Sequence, residues 1–93
     1  MSERSKELRL KILKRIAFLL DMPVDDVPAF IEKKKIIWRT ANPRSLDLDE
    51  GEVEEHIIHE IVYMYQDEQL GLMWDEFINE NYSLGEYYPK KAS

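Results

Sequence analysis

Two histidines, His56 and His59, stand among Glu52, Glu55 and Glu60 in a stretch whose apolar residues recur at helical intervals. Residues three and four apart share a helix face, so imidazole and carboxylate there have the reach to hold a divalent metal. The spacing argues against it. Carboxylate-bridged bundles place His three residues after Glu, whereas Glu52, Glu54 and Glu55 are followed at that interval by Glu55, Ile57 and Ile58. Two histidines four apart around a glutamate, the zinc-protease arrangement, are absent too. The histidines are therefore expected to be solvated or capped on an acidic helix. The run Asp47-Leu48-Asp49-Glu50-Gly51 offers the alternating oxygens of a calcium loop, but its glycine falls fifth rather than sixth, and Ile58 occupies the twelfth place, which needs a bidentate Glu. Ser2, Ser5, Ser45 and Ser83 lie apart from both histidines, and Gly51, Gly71 and Gly85 are too dispersed for a phosphate loop. With no cysteine, thiolate zinc sites and thiol nucleophiles are excluded. An acid-base pair needs two carboxyl groups in distinct environments, and an acidic helix face repeats one environment. No enzyme, metal or cofactor is expected.

The segment KRIAFLLDMPVDDVPAFIEKKK has another kind of layout: helix, short turn, second helix, with Ala17 where close packing is needed. It resembles a helix-turn-helix unit, which implies phosphate contacts from Lys33, Lys34, Lys35, Arg39 and Arg44. The turn lacks a glycine, and Asp25 and Asp26 put negative charge at the front of the recognition helix. DNA binding through the basic half is thus the second functional expectation.

The first expectation comes from charge. Residues 45 to 89 hold thirteen acids and neither Lys nor Arg, whereas residues 1 to 44 carry eleven Lys/Arg against six acids. Thirteen acids outnumber the bases available to answer them, so negative surface is expected to remain after internal pairing. That pattern implies a non-enzymatic binding or regulatory protein whose acidic helical face engages a basic surface of a protein partner, competing there with nucleic acid. The residues expected to carry it are Glu52, Glu55, Glu60, Asp67, Glu68, Asp75 and Glu76. A third expectation is self-association into a homo-oligomer, because Trp38, Trp74 and the tail tyrosines exceed what one small core can cover.

These side chains must be positioned by helices. A hydrophobic content of 44% over 93 residues suits one folded domain with one core. Leu8, Ile12, Ile16, Leu19 and Leu20 recur at steps of three and four, which predicts a helix near 5–21, ended by Pro23. A second is expected near 26–39, with Phe30, Ile31, Ile37 and Trp38 inward and Lys33 to Lys35 outward; its end, IIWRT, also suits a strand. Asp49 followed by Glu52 has the capping-box spacing, and Val53, Ile57, Ile61, Met64 and Tyr65 form a stripe. This predicts the longest and most buried helix near 50–70, stopped by Gly71. A short fourth helix near 72–81 is expected to bury Trp74, Phe77 and Ile78, with an irregular tail over 82–93 fastened by Tyr87 and Tyr88. The fold class read from this is all-α, a small single-domain bundle of about four helices. No run is apolar enough for a membrane span or a signal peptide, so a cytoplasmic, membrane-free protein is expected.

Overall fold

The computed structural model describes residues 3–83, leaving aside the side chains of residues 45, 46 and 81–83. Over these residues the chain is an all-α bundle of four helices: α1 (Glu3–Leu20), α2 (Val27–Ala41), α3 (Glu50–Tyr65) and α4 (Glu68–Ser83). Short 3-10 turns at Val24–Asp26 and Pro43–Asp47 link α1 to α2 and α2 to α3. No strand occurs among the described residues, and IIWRT belongs to α2. That helix ends where the Asn42 side chain donates to the Trp38 carbonyl at 2.8 Å and Pro43 bars a further turn.

The core gathers one stripe from each helix: Leu8, Ile12 and Ile16 from α1, Val27 and Ile31 from α2, Val53, Ile57, Ile58 and Ile61 from α3, and Leu70, Trp74 and Phe77 from α4. Trp74 and Phe77 are fully buried, with ring centroids 5.5 Å apart. Aromatic rings of this size anchor small cores, since each buries roughly 150 to 250 Å². α4 lies chiefly against α1, while α2 lies against α3.

Several boundaries differ from the sequence reading, each for a local reason. The longest helix is α1 with 18 residues, because α3 stops at Tyr65 after 16. What stops α3 is Gln66, in the left-handed region at φ 51°. Its N–H donates to the Tyr63 carbonyl at 3.3 Å and that of Asp67 to Val62 at 3.1 Å, the paired bonds of a Schellman motif. Gly71, expected to be the stop, lies inside α4 beside Val62, and α4 accordingly starts earlier, at Glu68. α1 closes in the same way, with Asp21 at φ 54° and the Met22 N–H bonded to Ala17 at 3.0 Å, so its end is set two residues before Pro23. At the start of α2, Asp26 occupies the capping position without a side-chain cap bond.

Two expectations about inward faces are also corrected. Met64 and Tyr65 are exposed, because the chain turns at Gln66 and α4 returns along the Val62 side. Ile37 is exposed and Lys35 is buried, because the inward line of α2 runs Val27, Ile31, Lys35 at four-residue steps. Two residues beyond Lys35, Ile37 points to the far side. The expected tail contacts of Tyr87 and Tyr88 lie outside the described residues.

Candidate functional site

The seven acids singled out by the sequence separate into three environments. Glu52 and Glu55 are half-buried near the start of α3, where Asp49 accepts from the Glu52 N–H at 2.9 Å and caps the helix as its spacing predicts. Asp67 is taken up by the fold. Both its oxygens accept from the Arg15 guanidinium, at 2.6 and 2.8 Å, and Oδ2 also accepts from the Leu70 N–H at 3.1 Å, capping α4. Hydrogen bonds from Arg15, opposed by partial burial and reinforced by the Leu70 amide, hold its carboxyl below the ordinary 3.8. Asp67 is therefore engaged within the fold, between Arg15 and the start of α4. The third group, Glu60, Glu68, Asp75 and Glu76, is exposed. Glu76 meets Arg4 at 3.0 Å, with both side chains more than half exposed. A pair that open to water contributes at most about 1 kcal/mol and leaves the carboxylate available.

The basic residues of the second expectation are not brought together as one surface. Lys33 and Arg44 are exposed, and Lys34 is half-buried with its ammonium 5.8 Å from the Phe30 ring centroid. Lys35 lies inside the α2–α3 junction, where its Nζ meets Glu32 at 3.1 Å, Glu50 at 3.3 Å and Glu54 at 3.8 Å. Burial works against its charge, but Glu32, Glu54 and Glu50 together outweigh that and raise its pKa above the ordinary 10.5. Arg39 is similarly engaged, 3.6 Å from Glu50 and donating to the Leu48 carbonyl at 3.1 Å. Asp25 and Asp26 stand exposed in the turn before α2.

The sequence reading missed the centre of this network, Glu54. It is buried on α3, accepts a hydrogen bond from Arg9 of α1 and faces Lys35 of α2, so one carboxylate joins three helices. A signal was present in the spacing. Glu54 precedes Ile58 by four residues, and Lys35 follows Ile31 by four, which places both charges on inward lines. Buried charges of opposite sign at matching heights read as a pair.

Both histidines are exposed, and His56 stacks on Trp38 with centroids 4.7 Å apart and an interplanar angle of 18°. Among the described residues, no three His, Asp or Glu side chains are grouped so as to hold a metal ion. No described helix is long and apolar enough to cross a membrane.

What remains at the surface is an acidic and apolar strip. On α4, Glu68, Leu72, Asp75 and Glu76 follow one another at helical steps on the outer side, and all are exposed. Tyr63 continues the exposed surface on α3, and a shallow concavity between the helices is lined by Val62, Tyr63, Gln66 and Glu68; Glu60, two residues before Val62, is exposed on the other side of α3. Such a surface can attract cations and bury a few apolar side chains. Comparison with protein-family models, curated proteins and solved structures finds no match for this chain.

Proposed function

We propose that the protein is a non-enzymatic binding and regulatory protein, in which the acidic outer side of α4 engages a basic surface of a protein partner and competes there with nucleic acid. The observation that carries this reading is the excess left after internal pairing. Arg4, Arg9, Arg15, Lys35 and Arg39 are each within ion-pair distance of an acid of α3, α4 or the turn between them. Even so, among the described residues no cation pairs with Glu68 or Asp75. Carboxylates held on a rigid helix steer a basic partner and suppress acidic ones, and the exposed Leu72 among them adds an apolar contact.

The test is displacement. A lysine- and arginine-rich DNA-binding protein is held on a labelled duplex, and the native chain is titrated in at low and at high salt. Release of duplex at low salt, weakening steeply as salt rises, is expected. The variant Glu68→Gln/Asp75→Gln should need roughly tenfold more protein for the same release, because two screened charges are lost. Displacement that is equally effective at high salt, or unchanged in the variant, would overturn the reading.

A further inference from the structure

We propose that the outer rim of the α2–α3 pair docks a second copy of this chain, the two rims meeting about a two-fold axis. The helices run antiparallel, and their contacts set the register. On the inner side Arg39 meets Glu50 and Lys35 meets Glu54; on the outer side Trp38 stacks on His56. Stepping four residues back along α2 and four forward along α3 from that stack brings Lys34 level with Glu60, and a further step brings Phe30 level with Met64. The rim is therefore basic and apolar along its α2 edge and acidic and apolar along its α3 edge.

Its apolar members are open to water to an unusual degree for a small domain. Ile37 is 53% exposed, Tyr63 85% and Met64 66%. Phe30, Lys33, Lys34 and Ile37 line a shallow concavity on the α2 edge, a seat for a side chain of the size of Met64. A two-fold axis through the rim lays α2 of one copy over α3 of the other. Lys33 and Lys34 then face Glu60 of the second copy, Phe30 faces Met64 and Tyr63, and Ile37, two turns along α2, packs toward His56, so the surface is complementary to itself in both charge and apolar character. With 15 and 16 residues the two helices are about 22 to 24 Å long, which makes a face at the small end of specific interfaces. The dimer is accordingly weak and reversible. Glu68, Asp75 and Glu76 on α4 stay outside it, so it stands independently of the displacement activity proposed above.

Sedimentation velocity and light scattering over two decades of protein concentration test the proposal. The native chain is expected to pass from its 11.1 kDa monomer toward twice that mass as concentration rises. Ile37→Glu and Met64→Glu, both at exposed positions and so expected to keep the native helical circular dichroism, should each remain monomeric throughout. Lys34→Glu and Glu60→Lys should each shift the midpoint at least tenfold toward higher concentration, and the double swap Lys34→Glu/Glu60→Lys should recover the native midpoint. A native chain that stays monomeric, a dimer that persists in both Glu variants, or a swap that fails to recover would overturn the proposal.

Discussion

Asp67 combines three roles, of which only the first needs its charge: partner to the Arg15 fork, acceptor for the Leu70 amide, and first residue after the turn that closes α3. Because its folded pKa lies below 3.8, the stabilisation it confers is complete above that value and is lost as pH falls through the lower folded value. Asp67→Asn keeps an oxygen that can cap the helix but removes the charge. Urea midpoints should show the native chain more stable than Asp67→Asn at neutral pH, and the gap should shrink as pH drops below 3.8. A gap independent of pH would mean that capping, rather than the ion pair, holds this corner. Lys35 marks the opposite limb: its folded pKa is raised, so its contribution is complete below 10.5 and is lost only as pH rises through the folded value.

Helix ends are where the elements of this chain depart most from glycine-based expectation. Asp21 and Gln66 adopt the left-handed conformation that glycine adopts without steric cost, while Gly71 sits in a helix where it weakens the backbone. The substitutions therefore have opposite logic to the usual one. Gln66→Gly should stabilise by about 0.5 to 1 kcal/mol, the relief of the Cβ clash exceeding the added freedom of the unfolded chain. Gly71→Ala should also stabilise, by about 0.5 to 1 kcal/mol, since its new Cβ would meet Val62 Cγ1 at an ordinary 3.6 Å. Both are read as shifts in urea midpoint at constant slope. Were Gly71 the stop of α3, alanine there would destabilise instead.

At the scale of the whole molecule, the two halves of opposite charge are folded onto each other. Arg9 and Arg15 of α1 and Lys35 and Arg39 of α2 reach acids of α3 and of the turn after it, so the charge division is partly an internal adhesive. Its centre, Glu54, carries more of the fold than its partners. Glu54→Ala should cost about 2 to 4 kcal/mol, because Lys35 and Arg9 lose a buried counter-charge. Lys35→Met should change stability by no more than about 1 kcal/mol, since its stem packing is kept, Arg9 still answers Glu54, and Glu32 and Glu50 are open to water. Chemical denaturation of the two variants checks the ordering. In a chain of this size, where total stability is about 5 to 10 kcal/mol, the first loss leaves little reserve.

The sequence by itself determined the class of fold, the four helices, most of the core and the Asp49 cap, because a 3.6-residue period and a capping side chain act within a few neighbouring residues. It also determined that acids outnumber bases in the C-terminal half, which is a matter of counting. Tertiary structure decided which charges remain outside. Whether Asp67 or Glu68 keeps its carboxylate in water depends on Arg15, 52 residues away, arriving at one and not the other. Lys33, Lys34 and Lys35 are identical in type and adjacent in sequence, yet the inward line of α2 through Val27 and Ile31 buries the third and leaves the first exposed. Periodicity is local and legible in one chain, whereas the partner that claims a charge is chosen by how four helices meet.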